Sequence, residues 1–263
     1  MQNFKIKKHY GQHFLKNSSI LEKIVKINSL KNLHVIEVGP GSGALTKFIL
    51  KQEPKSLISV EKDKYLKPYL DKIHSSYPST FSVIYEDILA LDILKILEKD
   101  SIILGNLPYN IATTLIMNFL KISNKLPEMI FMVQKEVADR ITAKVSTKPY
   151  GRVSVLCQLH YEIKRIFDVS PENFFPKPKV FSTVLKLSPR KEKLVNLEEF
   201  DKLIKRSFCY RRKTIKNNLE KTVKSFSKVF DDQIFSSRKR PQDFSPKEFV
   251  EIFEAFKNLK DHQ

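Results

Sequence analysis

HVIEVGPGSGALTKFILK, residues 34–51, runs from a short β-branched apolar segment through three glycines into an apolar repeat of helical period. Gly39, Gly41 and Gly43 fall at the junction, where only small residues let the backbone close on a ligand and turn its N–H groups toward it. The stretch reads as strand, ligand-binding turn and helix, the first unit of an α/β sheet.

The same alternation continues outward. LISVE (57–61) precedes KYLKPYLDKI (64–73), FSVIY (81–85) precedes LDILKILE (91–98), SIILG (101–105) precedes IATTLIMNFL (111–120), and EMIFMV (128–133) precedes KEVADRITAKV (135–145). Strand-then-helix units in this number predict a parallel, Rossmann-like sheet with helices on both faces and ligands beyond the carboxyl ends of its strands. YEIKRIFDV (161–169) and VFSTVLKLS (180–188) flank the proline-rich FFPKPK with no clear helix between them; they predict a closing pair of strands with room for an antiparallel member. Beyond SPRKEK the chain turns helical and charged, through LEEFDKLIKRSF, RKTIKNNLEKTVKSF and SPKEFVEIFEAFKNLK. The last opens with Ser245, Pro246 at the first helical position and Glu248 three residues after the serine, a capping-box start. The organisation expected is a basic arm over 1–20, a Rossmann-like domain over 21–190 and a small helical domain over 191–263.

At 263 residues, 41% hydrophobic and 11% aromatic, the chain can bury a full core and still carry a smaller domain. No apolar stretch approaches the ~20 residues of a membrane span, and MQNFKIKKHYGQ lacks the apolar centre of a secretion signal, so a cytoplasmic protein without a membrane partner is expected. Cys157 and Cys209 form no CxxC and the six histidines show no ligand spacing, which argues against a disulfide framework and against a metal site. Residues 32–133 balance 11 basic against 11 acidic side chains, and the net charge of +18 lies wholly in the flanks. A neutral core with basic surroundings suits a polyanion, because each phosphate neutralised releases condensed counterions. Nucleic acid is the partner expected.

Gly39, Gly41 and Ala44 also satisfy the relaxed dinucleotide fingerprint, so the turn alone does not separate NAD from S-adenosylmethionine. Glu61 ends the second strand, where a carboxylate can accept both hydroxyls of a ribose, and fits either cofactor. Asp87, in VIYEDIL, ends the third strand and can accept from an adenine amino group or cap the following run.

GNLPYN, 105–110, ends the fourth strand. An exocyclic amine on adenine is a poor nucleophile because its lone pair is delocalised into the ring. To attack a methyl sulfonium it must move toward tetrahedral geometry, which two acceptors aimed at its hydrogens would favour. The Asn106 side-chain oxygen is one, and the backbone carbonyl of either Leu107 or Pro108, held by the fixed φ of proline, is the other. Tyr109 would stack on a base taken out of its pairing context. Positioning then supplies most of the rate, and no general-base pair is needed.

GQHFL, VIEVGPGSGALT, GNLPYNIATTL, QKEVADRI, KPYGRVSVL, FFPKPKVFSTV and RRKTIKNNL, in this order over nearly the whole chain, closely resemble the small-subunit ribosomal RNA adenine dimethyltransferases. The resemblance implies a class I S-adenosylmethionine-dependent methyltransferase core. It also implies transfer of four methyl groups to two adjacent adenosines near the 3′ end of 16S rRNA, within the small ribosomal subunit or its precursor, by an enzyme expected to be a monomer. Carried over by motif, His13, Leu15, Gly39, Gly41, Glu61, Asp87 and Asn106 would line the cofactor pocket. Asn106, Pro108 and Tyr109 would serve the target base, with Phe174, or Phe175 one residue on, as the second face of its clamp. Arg211, Arg212 and Lys213 would bind rRNA phosphates. His13 stands where relatives usually carry asparagine, which matters only if the contact needs the amide. The rival readings are a large-subunit rRNA adenine methyltransferase, an RNA-binding assembly factor with an inactive methyltransferase fold, and an NAD dehydrogenase.

Overall fold

Short β-branched runs with glycine- or acid-bearing ends form the sheet that positions the site. In the computed structural model, which describes residues 12–190, 196–219 and 238–261, these are β2 (His34–Val38), β3 (Ser56–Val60), β4 (Phe81–Ile84), β5 (Ser101–Asn106), β6 (Met129–Gln134), β7 (Tyr161–Val169) and β9 (Ser182–Pro189). Their order is β4-β3-β2-β5-β6-β9-β7. The pairs β2–β3, β3–β4, β2–β5 and β5–β6 are parallel, and β9 runs antiparallel to β6 with Ser182 opposite Gln134. The start of β9 therefore lies at the same edge as the end of β6. A second, two-stranded sheet joins β1 (Phe14–Leu15) to β8 (Phe174–Phe175), pairing Leu15 with Phe174 and Phe14 with Phe175. Residues 1–11 of the expected arm, 191–195, and the continuation of RKTIKNNLEKTVKSF past 219 lie outside the described residues.

Val38 pairs with Val60 on one side and Gly105 on the other, so β2, β3 and β5 finish level. A Cβ on Gly105 would come within 2.7 Å of the Val38 carbonyl oxygen, which makes the small residue a condition of this register. The helices α2 (Ala44–Leu50), α3 (Lys67–Ser76), α4 (Ala112–Phe119) and α5 (Lys135–Ile141) follow their strands as expected. LDILKILE does not form a helix. It makes only a 3-10 turn over Ile93–Lys95, with Asp92 Oδ1 accepting from Leu94 N at 3.3 Å. An Asx turn at its start competes with the helix, and β5 begins at Ser101, leaving little room for more turns.

Two helices were not anticipated. α1 (Ser18–Val25) starts at Asn17, whose Oδ1 accepts from Ser19 N at 3.0 Å and Ile20 N at 3.3 Å, and it buries Leu21, Ile24 and Val25. α6 (Arg152–His160) buries Ser154, Val155, Leu156 and Cys157 in succession. A helix buried on consecutive positions has no single apolar stripe to betray it.

The described residues fall into two compact units, within Met1–Ala138 with Ile163–Pro189 and within Asp139–Glu162 with Arg190–Gln263. The second, helical unit thus takes in 139–162, which the sequence reading placed in the 21–190 domain. Arg152 holds Asp201 of α7 (Leu197–Ser207) through two hydrogen bonds of 2.6 and 2.7 Å, and the Tyr150 hydroxyl donates to the Phe244 carbonyl at 2.8 Å. α8 (Ile215–Leu219) and α9 (Pro246–Asp261) complete it. The capping box at the head of α9 is present: Ser245 N donates to Glu248 Oε2 at 2.7 Å and Glu248 N to Ser245 Oγ at 3.2 Å. Phe200 and Phe253 meet edge to face at 5.5 Å in its core.

Candidate active site

A cavity opens at the carboxyl ends of β2, β3, β4 and β5, and every residue expected to hold a cofactor lines it: His13, Leu15, Gly39, Gly41, Glu61, Asp87 and Asn106. The glycine turn after β2 adopts positive φ at Gly39 and Gly41, +70° and +61°, a conformation that L side chains rarely take. A Cβ on Gly41 would lie 2.7 Å from the Phe14 ring, so the turn also leaves room for the arm. Gln12, Asp63 and Ile88 line the same cavity and were not anticipated. Gln12 sits inside the GQHFL motif, and Ile88 directly follows Asp87, so sequence adjacency was the available signal.

The carboxylates are held differently. Glu61 is 7% exposed; its Oε2 accepts from Gly41 N at 3.1 Å and its Oε1 from Asp63 N at 2.8 Å. Burial raises its pKa against these hydrogen bonds. The backbone N–H of Lys62 also favours its charged form. Asp87 accepts from Lys62 Nζ at 2.7 Å and from Leu89 N at 3.0 Å, and the lysine holds its carboxyl below the ordinary value. It combines the turn-capping role with a place in the cavity wall. Beneath the loop, Glu37 accepts from the Thr46 and Ser59 hydroxyls at 2.7 Å each on Oε2, while its buried Oε1 has no partner among the described residues. Burial pushes Glu37 up to about 7.

Asn106 closes β5 with Nδ2 donating to the His13 carbonyl at 2.9 Å, which fixes the amide and leaves Oδ1 without a hydrogen bond among the described residues. His13 thus meets Asn106 through its backbone, a contact the asparagine usual in relatives could make equally. Its ring lies 4.9 Å from that of Tyr109, and Nδ1 donates to the Pro176 carbonyl at 2.7 Å. The Tyr109 hydroxyl is 2.8 Å from Ser182 Oγ, and burial pushes its phenol above the ordinary value. Ser182, fully buried at the start of β9, is a support that the sequence did not announce.

Two expectations for the target base need correction. The Pro108 carbonyl accepts from both Ile111 N and Ala112 N at 3.1 Å, so it caps α4 and is not the second acceptor. Of the two carbonyls left open, that of Leu107 accepts no backbone hydrogen bond from the described residues outside the regular elements. Phe174 is 1% exposed and packed in the core, because its pairing with Leu15 turns it inward. It does not line the cavity, and the exposed ring is Phe175 at 49%.

In the helical unit, Arg211, Arg212 and Lys213 lie in an exposed turn between α7 and α8. Arg211 donates to the Tyr150 carbonyl at 2.7 Å and the Lys148 carbonyl at 3.1 Å, so its guanidinium is largely used within the protein. Lys213 lies over the Tyr210 ring at 4.6 Å.

The ribosomal RNA adenine dimethylase family model matches residues 3–258. Ribosomal RNA small subunit methyltransferase A of Wolbachia pipientis wMel is 40% identical over 248 residues, 93% of this chain and 87% of its own length. The protein of the same name from Legionella pneumophila (strain Corby) is 39% identical over 256 residues, 96% and 98% of the two chains. A dimethyladenosine transferase from Plasmodium falciparum superposes with a TM-score of 0.82 at 25% identity over 94% of this chain and 98% of that one. The 23S rRNA methyltransferase ErmE shares the fold, with a TM-score of 0.67 at 22% identity over 92% and 98%. A family match across nearly all of the sequence, on a glycine turn and an NLPY turn that meet at one cavity, makes this chain a member of the ribosomal RNA adenine dimethylase family.

Proposed function

We propose that this protein transfers methyl groups from S-adenosylmethionine to N6 of two adjacent adenosines near the 3′ end of 16S rRNA, giving N6,N6-dimethyladenosines in a small ribosomal subunit or its precursor. Family membership makes it an S-adenosylmethionine-dependent rRNA adenine methyltransferase. The particular nucleotides, the 16S partner, a cytoplasmic location and a monomeric working form belong to the proposal. In favour of the small subunit, relatives named for it are 40% and 39% identical, against 22% for ErmE, which shares the fold.

The cavity suits the cofactor chemically. Glu61 offers a carboxylate at a strand end, Asp87 a charged acceptor, and Leu21, Ile24 and Ile88 an apolar wall. S-adenosylmethionine supplies a methyl group already activated on a sulfonium.

The observation that carries the reading is a pair of acceptors, Asn106 Oδ1 and the Leu107 carbonyl, that take no hydrogen bond from the described residues outside the regular elements, beside an anchored Tyr109. Two acceptors toward the hydrogens of an adenine amine draw its lone pair out of the ring and prepare it as a nucleophile. They are preorganised, since the His13 carbonyl fixes the amide and a Met132 carbonyl holds Leu107 N at 3.0 Å, so little reorganisation is required during transfer. Tyr109 offers its ring in place of the stacking that a displaced base loses.

Tritium from labelled S-adenosylmethionine should enter 16S rRNA of small subunits that lack dimethyladenosine, and mass spectrometry of nuclease fragments should place it on two neighbouring adenosines. Asn106→Ala should slow this transfer by about 10²-fold or more. Label in 23S rRNA, or an undiminished rate in the variant, would overturn the proposal.

A further inference from the structure

The segment after FFPKP carries a large exposed ring that the site has not used. Phe181 is 48% exposed and lines a surface groove with Pro171, Glu172, Lys177, Pro178 and Lys179. Its backbone is fixed, because its carbonyl accepts from Lys135 N at 2.8 Å. The next residue is Ser182, which is buried and holds the Tyr109 hydroxyl at 2.8 Å. Phe181 is therefore one residue, about 3.8 Å of chain, from the anchor of the base-stacking ring. It lies at the edge of the sheet where β6 ends, because β9 is antiparallel to β6. Lys177 is neutralised by Glu172 at 2.7 Å. Lys179 has no ion pair or hydrogen bond among the described residues, so the groove keeps one available positive charge.

A ring left in water, in a groove shared with a cation that has no partner among the described residues and one residue along the chain from the serine that anchors Tyr109, matches a nucleotide unit: a π face for the base and a charge for its phosphate. We propose that Phe181 and Lys179 hold the single-stranded RNA nucleotide adjoining the target adenosine, the ring stacking on its base and the lysine meeting its phosphate. The proposal rests on the reading of the site as an rRNA adenine methyltransferase and adds a neighbour-binding position to it.

The test uses the full-length protein and a single-stranded oligoribonucleotide of about ten residues, with two adjacent adenosines and 2-aminopurine beside them. Stacking on Phe181 should quench the 2-aminopurine on binding. Phe181→Ala should remove most of that quenching and weaken binding roughly tenfold, and Phe181→Tyr should restore both. Lys179→Ala should lower the slope of log affinity against log salt by about 0.7, the share of one single-strand phosphate. Unchanged quenching and affinity in Phe181→Ala would overturn the assignment, as would a salt slope unmoved by Lys179→Ala. The readout needs no methyl transfer, so the two readings fail separately. Quenching that depends on Phe181 without methylation of any rRNA would strike the function and leave the groove. Normal methylation with quenching indifferent to Phe181 would do the reverse.

Discussion

At the carboxyl ends of the strands in the first unit, Glu37 and Glu61 are buried and held by hydroxyls and backbone N–H groups, with no cation bonded to either among the described residues. In the helical unit the acids meet cations: Arg152 forks onto Asp201, and Glu248 lies 3.4 Å from Lys239. The carboxyl groups follow, with Glu37 and Glu61 shifted up by burial and Glu248 shifted down by its capping hydrogen bonds and Lys239, which outweigh its own partial burial. The first arrangement keeps polar atoms available to a ligand at some cost in stability. The second uses them to hold helices together.

The harshest way to break the first arrangement is at the register that brings its polar ends level. Gly105→Ala would set a Cβ 2.7 Å from the Val38 carbonyl oxygen. Backbone cannot swing aside as a side chain can, so β2 and β5 must separate where the glycine turn and the NLPY turn begin. A loss of roughly 3 kcal/mol, the upper end of ordinary overpacking, is expected, read as a lower denaturation midpoint in urea. An unchanged midpoint would mean that the sheet relaxes freely there.

A gentler probe uses the buried acid. Glu37 has its pKa raised from 4.5 to about 7 in the folded protein, so the folded state binds its proton more tightly than the unfolded chain does. Its contribution to stability is fully present below 4.5 and is lost as pH rises through about 7. Glu61 is shifted in the same direction and adds to the slope. Glu37→Gln keeps the acceptor for Thr46 and Ser59 but cannot ionise. Its melting temperature should therefore fall less than that of the unaltered protein between pH 5 and pH 7.5, by roughly 2–4 °C for each kcal/mol removed. Parallel curves would show that Glu37 stays ionised throughout.

Much of the first unit was legible because backbone geometry constrains it. Gly39 and Gly41 at a strand–helix junction, acids ending the next two strands and an Asn-Leu-Pro-Tyr turn leave few alternatives, and all line one cavity. Sequence failed where tertiary partners choose between neighbours. Phe174 and Phe175 alternate in a two-residue strand, and only pairing with the arm decides which ring turns inward. Leu107 and Pro108 both offer carbonyls, and only the start of α4 shows that the second is taken. Leucine and isoleucine spacing suggested a helix at 91–98 that the Asx turn at Asp92 replaces, while α6 hid in its own uniform burial.

Charge was the least legible property, and the smallest expected effect examines it. Arg211 and Arg212 are adjacent, exposed and equivalent in sequence, yet Arg211 ties down the Tyr150 and Lys148 carbonyls while Arg212 has no hydrogen bond or ion pair among the described residues. Losing Arg211 leaves two carbonyls without their donor, so Arg211→Ala should cost about 1–2 kcal/mol, less than a buried charged hydrogen bond because one of the two bonds faces solvent. Arg212→Ala should change stability by less than about 0.5 kcal/mol. If Arg212 contacts a phosphate, removing it should instead reduce the salt dependence of RNA binding by about one unit of slope. Urea unfolding and RNA titration across salt concentrations, run on both variants, should therefore give opposite rankings. The same ranking in both measurements would erase the distinction, because then neighbouring cations in one turn would be performing the same task.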